Sequence, residues 1–147
     1  MTQVAEVVAL VTAAVNLLAA ALGAWRWWTV EPSQAFWVLC RTGQALAVVQ
    51  AIAAGVLAAL GFKPADGLYW LYALLPVVVS FVAEQLRIAS AQAVLDANDL
   101  EDAQAVGRLP ADRQRSIVLA IVRREMGTMT AAAIVVAFLA ARAWGTA

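Results

Sequence analysis

Long apolar stretches decide the fold of this chain, and the first of them runs from Val4 to Ala24, VAEVVALVTAAVNLLAAALGA. About 20 mainly apolar residues are enough for one helix to cross a bilayer, so this stretch predicts a membrane-spanning helix. The residues before it include no Lys or Arg. Because a cleaved signal peptide carries basic residues at that place, we expect the helix to remain in the membrane.

The composition of the whole chain points the same way. Of its 147 residues, 64% are apolar and 14% are charged, and the mean hydropathy is +0.80. Soluble domains contain about 45–50% apolar and about 25% charged residues. The sequence therefore predicts an all-α polytopic membrane protein, a four-helix transmembrane bundle in a single domain. The predicted spans are about 4–24, 35–60, 68–83 and 126–143.

The segment 84–125, between the third and fourth spans, is the most polar part of the chain. We expect the third helix to continue past the membrane to about Leu95. The last helix is expected to begin after Pro110 and to run unbroken from about Ala111 to Trp144. The third and fourth helices of the bundle would thus extend into a cytoplasmic helical hairpin over about 84–125.

Two local patterns predict the interior of that hairpin. Asn98, with Glu101 three residues later, fits the N-cap of a short helix, which Gly107 would end. The apolar run 117–122 is expected to pack on the extension of the third helix, or alternatively to lie on the membrane surface as an amphipathic segment. The contacts expected on the third helix are Ile88, Val94 and Leu95.

Positive charge predicts the orientation, because Lys and Arg concentrate in cytoplasmic connections. Of the 10 basic residues, only Lys63 and Arg142 lie on one side of the predicted spans. The others lie at the 1–2 and 3–4 connections: Arg26, Arg41, Arg87, Arg108, Arg113, Arg115, Arg123 and Arg124. We therefore expect both termini outside and these connections in the cytoplasm. Richness in Ala, Val and Arg is typical of GC-rich bacterial genomes, so the expected membrane is a bacterial plasma membrane.

Aromatic residues cluster where the predicted spans end, as is usual at membrane interfaces. Trp25, Trp27 and Trp28 follow the first span directly. Successive residues of a helix point about 100° apart, so these three rings cannot share one ligand-binding pocket. We interpret them as anchors at the interface.

Residue types exclude several kinds of site. The chain has no His, which rules out His-ligated haem and metal sites and any triad with an imidazole base. The one cysteine, Cys40, is expected to be a buried apolar residue. Asp96, Asp99, Glu101 and Asp102 are close in sequence, but the segment lacks the ligand and Gly positions of an EF-hand loop. We predict no catalytic residue, no metal and no cofactor, and the zero net charge favours no nucleic-acid partner.

Small residues recur at helix-packing intervals, and such residues let helix backbones approach in lipid. The predicted seams are Ala9, Ala13, Asn16, Ala20 and Gly23 in the first span, Gly43, Ala47, Gln50, Ala54 and Gly61 in the second, and Ala133, Ala137, Ala141 and Gly145 in the fourth. Asn16 and Gln50 are expected at one depth, roughly 17 Å below the outer surface at 1.5 Å per residue. They would hydrogen-bond to each other, or form a polar layer that lines a path or pocket.

Ionisable groups gather where the third span ends. Glu84 lies at the inner boundary, and Arg87 follows one helical turn later. We expect Glu84 to pair with Arg41 or Arg124 on neighbouring helices. Such a belt would stabilise the bundle, bind a lipid headgroup or gate a path.

Three functions are compatible with these patterns, and we expect the first. It is a non-catalytic membrane bundle that acts through homo-oligomerisation or as an accessory subunit, so that its partners are the lipid bilayer and a membrane protein. The second is an oligomeric small-solute transporter or ion channel with its polar layer at Asn16 and Gln50. The third is a lipid-acting membrane enzyme whose metal would be held by the acidic residues between Asp96 and Asp102.

Overall fold

The computed structural model covers residues 1–147 and contains only helices and connecting turns. The helices are α1 (Thr2–Thr29), α2 (Gln34–Ala59), α3 (Tyr69–Asp96), α4 (Ala103–Val106) and α5 (Ala111–Trp144). All of them except α4 are long and apolar enough to cross a membrane. The all-α class and the four candidate spans are therefore confirmed.

The four long helices form an antiparallel bundle. Both α1 and α3 pack against α2 and α5, whereas α2 and α5 touch each other only at a few points. In cross-section α1 therefore lies opposite α3, and α2 opposite α5, as in an up-down-up-down bundle. We call the end that holds Met1 and Ala147 the terminal end. The extension end is the opposite one, where α3 and α5 continue towards α4.

The first helix is longer than the first predicted span. It continues through the three Trp residues to Thr29, because nothing before Pro32 breaks a helix. The chain leaves the helix at Val30, which has a left-handed backbone (φ 54°) and donates its N–H to the Arg26 carbonyl. The Trp residues thus project from a regular helix at the extension end.

Small residues make up most of the buried faces of the first two helices. Those faces are Ala5, Ala9, Thr12, Asn16, Ala19, Ala20 and Gly23 on α1, and Phe36, Cys40, Gly43, Ala47, Gln50, Ala54 and Leu57 on α2. Most of the predicted seam positions are therefore buried. Gly61 instead lies in the turn after α2 with a φ of 77°, Ala141 of α5 is exposed, and Gly145 is exposed directly after the end of α5. Residues at every fourth position do not align along a helix with 3.6 residues per turn. Such a row on α5 therefore cannot lie entirely on the buried face.

The extension has a small apolar core of its own. Val94 and Leu95 of α3 pack with Val106 of α4 and Ile117 of α5. Ile88, also predicted for this contact, is 56% exposed. The contact therefore lies nearer the tip of the extension than the sequence indicated.

The short helix α4 begins later than predicted. Its N-cap is Asp102, whose Oδ1 accepts a hydrogen bond from the Ala105 N–H, and Gly107 follows its last residue as expected. Asn98 instead donates its side-chain amide to the Val94 carbonyl. The predicted N-cap at Asn98 is therefore wrong, because this side chain satisfies the end of α3.

Gly23 leaves room for side chains of α2 and α5 to pack directly against the backbone of α1. A Cβ atom at this position would overlap Thr130 Oγ1 and the ring of Phe36. We expect Gly23→Ala to lower the free energy of unfolding by about 1–3 kcal/mol, as overpacking typically does. Tryptophan fluorescence during unfolding in mixed detergent micelles measures the loss.

The matched control is Gly55→Ala, at an exposed position of α2 where an added Cβ would meet no atom within 4 Å. Alanine is the better helix former by about 1 kcal/mol, so this variant is expected to be at least as stable as the parent. An equal loss of stability in both variants would contradict the close packing at Gly23.

Candidate functional site

Polar side chains of three helices meet in a belt near the extension end. Glu84 Oε1 accepts hydrogen bonds from Arg41 Nη1 and from Gln44 Nε2, each at 2.7 Å. Glu84 Oε2 accepts one from Arg87 Nε at 3.1 Å, and Arg87 Nη1 donates to Glu125 Oε1 at 3.1 Å. We call these five residues the charged belt. It links α2, α3 and α5.

Helical spacing explains how the belt assembles. Arg41 and Gln44 are three residues apart on α2, and Glu84 and Arg87 are three apart on α3, so each pair shares one helix face. The two faces meet because α2 and α3 pack side by side. The predicted Glu84–Arg41 pair is therefore formed, and Arg87 extends it to Glu125 on α5.

Three of the four ionised side chains in the belt are largely shielded from solvent. Glu84 is 22% exposed, Arg87 24% and Glu125 18%, while Arg41 is 53% exposed. Hydrogen bonds between ionised groups are roughly twice as strong as neutral ones, and shielding limits competition from water. The two Arg charges balance the two Glu charges. The belt thus fastens three helices and keeps no net charge of its own.

Aromatic rings lie beside the arginines at this end. The guanidinium carbon of Arg87 is 5.7 Å from the centre of the Trp37 ring, and that of Arg123 is 5.5 Å from the centre of the Trp27 ring. Both distances fall within the range of cation–π attraction. Gly127 leaves room for Trp27, since a Cβ there would lie 3.0 Å from its Nε1. These contacts join α1 to α5 and α2 to α3.

Arg124, the other predicted partner of Glu84, does not join the belt. Its side chain is exposed and makes no ion pair, and its carbonyl accepts a hydrogen bond from Thr128 Oγ1. Glu125, the next residue along α5, faces Arg87 instead. Of the two predicted alternatives, Glu84 therefore pairs with Arg41 and not with Arg124, which points about 100° away from Glu125 on α5.

The two amides of the predicted polar layer lie at different depths. Asn16 Nδ2 donates to the carbonyls of Thr12, at 2.9 Å, and Gly43, at 3.4 Å. Gln50 Nε2 donates to the Ala73 carbonyl at 3.3 Å. Because Asn16 faces Gly43, Gln50 lies about seven residues, or roughly 10 Å, nearer the terminal end. The expected Asn16–Gln50 hydrogen bond is therefore wrong. The two depths were counted from the ends of the predicted spans, whereas the contact of Asn16 with Gly43 sets the actual register of α1 against α2.

A small cavity lies between Asn16 and the charged belt. Its volume is about 10 Å³, and its polar lining includes Asn16, Gln44 and Ser80. A cavity of about 10–15 Å³ is needed to hold a single water molecule. Gln44 borders the cavity and also donates to Glu84, although it is not among the site residues predicted from the sequence. The available signal was its position next to Gly43 on the seam and three residues from Arg41.

One buried acceptor keeps unused hydrogen-bonding capacity. Gln50 is 2% exposed, and its Oε1 has no hydrogen-bond partner, although its Nε2 is satisfied. Most buried polar side-chain atoms in proteins have a partner, so this one is unusual. Gln50 therefore remains a polar position inside α2, separate from the belt.

The acidic residues of the extension do not converge. Asp96 accepts a hydrogen bond from Gln92, and Asp102 caps α4. No group of three or more Asp, Glu, Cys or His side chains in the structure could hold a metal ion. The hypothesis of a metal-dependent lipid enzyme therefore gains no support from this segment.

Comparison of the chain with protein-family models, with curated proteins and with solved structures finds no match. The fold and the site together define only a general class, an all-α protein with four candidate membrane spans. Its helices pack through small residues and are joined near one end by the charged belt, whose charges cancel. The function has to be inferred from these features themselves.

Glu84 accepts hydrogen bonds from Arg41 and Gln44 on α2 and from Arg87 on its own helix, α3. We expect Glu84→Gln to destabilise the bundle by about 1–3 kcal/mol, because Arg41 and Arg87 then lose a charged partner. Glu31→Gln is the control, since Glu31 pairs with Arg26 in an exposed turn where ion pairs contribute about 0–1 kcal/mol. Unfolding in mixed micelles compares the two, and an equal effect would contradict a structural role for the belt.

Proposed function

We propose that the four long helices span a bacterial plasma membrane, with both termini outside and with the 1–2 connection and the extension in the cytoplasm. Large apolar side chains on every long helix face outwards, among them Leu17, Ile52, Phe81 and Phe138. Soluble monomers rarely expose apolar surface on this scale, which supports insertion into lipid. The concentration of Arg at the extension end supports the orientation.

Within that membrane the protein acts as a non-catalytic module through helix association, as a homo-oligomer or as an accessory subunit of a membrane complex. One observation carries this proposal, a groove of about 470 Å³ between α1 and α5. Half of its lining residues are alanines, Ala13 and Ala14 on α1 and Ala137 and Ala141 on α5. We call it the alanine groove.

The alanine groove has the chemistry that helix association in lipid requires. Lipid tails are as apolar as Leu, so helices associate there through close packing, which small residues permit. Leu17 and Phe138 also line the groove and are each 63% exposed. One copy thus offers both a hollow and the large side chains to fill the hollow of a second copy, as a two-fold interface requires. We therefore propose that two copies associate through the alanine groove.

A solute path through one copy has less support. The cavity beside Asn16 has room for about one water molecule, and the charged belt joins three helices on its extension side. The polar layer on which the transporter alternative depends is divided, because Asn16 and Gln50 bond to different helices. Association through the lipid-facing surface needs none of these groups.

Larger side chains in the alanine groove test self-association. Ala14 and Ala141 are exposed, so Ala14→Leu with Ala141→Leu fills the groove without crowding the bundle interior. We expect the double variant to raise the dissociation constant of the dimer about tenfold, the equivalent of about 1.4 kcal/mol, so that the dimer fraction falls at a given protein-to-lipid ratio. Energy transfer between labelled copies in liposomes measures it.

The matched control is Ala58→Leu, an equal enlargement at an exposed position of α2 outside the groove. It is expected to associate like the parent. An unchanged dimer fraction in the double variant would exclude the alanine groove as the interface, and a monomeric parent would favour the accessory-subunit form.

Single cysteines test the placement in the membrane. In a Cys40→Ala background, Lys63→Cys and Gln104→Cys each put a thiol at an exposed position, in the turn after α2 and in α4. With a membrane-impermeant maleimide on intact cells, we expect label at position 63 only, and at position 104 after permeabilisation. The reverse pattern would invert the orientation, and equal labelling of both in intact cells would contradict insertion.

A further inference from the structure

A second groove lies between α3 and α5, on a different side of α5 from the alanine groove. Its volume is about 470 Å³, and its walls include Val79, Ala83 and Leu86 on α3 and Thr128 and Ala132 on α5. Its remaining lining residues are apolar as well. We call it the valine groove. It therefore presents to the proposed bilayer a hollow with almost no polar surface.

The walls of the valine groove suit a flexible chain better than a helix. Close helix contact in lipid needs small residues on the approaching faces. On α3 this groove is lined largely by Val and Leu, and these side chains keep a second backbone at a distance. A hydrocarbon tail bends to follow such a wall and gains dispersion contacts along it.

An unpaired positive charge marks the end of the valine groove nearest the charged belt. Arg124 is one helical turn before Thr128, and Ala132 is one turn after it, so the three share a stripe of α5. The side chain of Arg124 is exposed and makes no ion pair. Arg41 and Arg87, by contrast, are paired with Glu84 and Glu125. The groove thus leads to an arginine with no carboxylate partner.

We propose that the valine groove with Arg124 is a binding site for one anionic phospholipid of the cytoplasmic leaflet. An acyl tail lies along Val79, Ala83 and Ala132, and the headgroup phosphate accepts hydrogen bonds from the Arg124 guanidinium. Arginine pairs with phosphate through two parallel N–H donors, and the anionic leaflet raises the local concentration of such lipids. The inference rests on the membrane placement proposed above and does not depend on self-association.

Native mass spectrometry of the full-length protein tests the site. The protein is released from mixed micelles that contain phosphatidylglycerol and phosphatidylcholine in equal amounts. We expect the monomer peak to retain one phosphatidylglycerol in preference to phosphatidylcholine. Arg124→Gln is expected to reduce that preference roughly fivefold, the effect of one basic residue near an anionic lipid surface.

Arg108→Gln is the matched control, since Arg108 is exposed in the turn after α4, away from the groove. A second variant, Ala131→Leu, fills the groove at an exposed position without altering charge. It is expected to reduce retention of both lipids, whereas the double substitution in the alanine groove leaves retention unchanged.

Two results would overturn the proposal. The first is equal phosphatidylglycerol retention in the Arg124→Gln and Arg108→Gln proteins. The second is an Ala131→Leu protein that keeps its lipid but loses its dimer, which would make the valine groove a helix interface. Because lipid is counted on the monomer peak, failure of self-association leaves this readout intact, and the cysteine labelling tests the membrane placement separately.

Discussion

Close packing of side chains against the glycines of α1 and α2 is the constraint on which the rest of the bundle depends. At Gly43 an added Cβ would lie 2.6 Å from Asn16 Oδ1, and at Gly23 it would overlap Thr130 and Phe36. These approaches let Asn16 reach the Gly43 carbonyl, which supplies a polar link between α1 and α2 inside an apolar bundle. The rotation of α2 that turns Gly43 towards Asn16 also turns Arg41 and Gln44 towards α3. Arg41 and Gln44 meet Glu84 for that reason.

The charged belt and the small-residue faces stabilise the bundle in different ways. Small residues permit contact along the whole length of α1 and α2, and their packing has little directional preference. The belt acts at one level only, but its hydrogen bonds require defined angles and partners. A rotation of α3 would part Glu84 from Arg41 while leaving much of the apolar packing in place. The belt therefore fixes the rotation of α3 relative to α2 and α5.

Properties that depend on composition and period could be predicted from the sequence, and properties that depend on register could not. The four helices, the continuous α5 and the burial of Gly43 and Ala47 follow from apolar length and the 3.6-residue period. The depth of Gln50 relative to Asn16 depends on the axial offset between α1 and α2. Neither helix's own sequence specifies that offset. Whether Glu125 or Arg124 faces the charged belt depends on the rotation of α5 about its axis, because adjacent residues point about 100° apart. The role of Gln44 in the belt depends on both.

Helix α5 supplies one wall to each of the two grooves, with Ala132 in one and Ala137 in the other. It is a single helix of 34 residues, and its far end packs in the core of the extension through Ile117. Because α5 is one continuous helix, a tilt of its axis would change the width of both grooves and the contact at the extension together. Thermodynamic linkage then requires reciprocity: if occupancy of one groove alters affinity at the other, the reverse effect has the same factor. The composition of the surrounding lipid and the state of assembly would act as two effectors of one equilibrium.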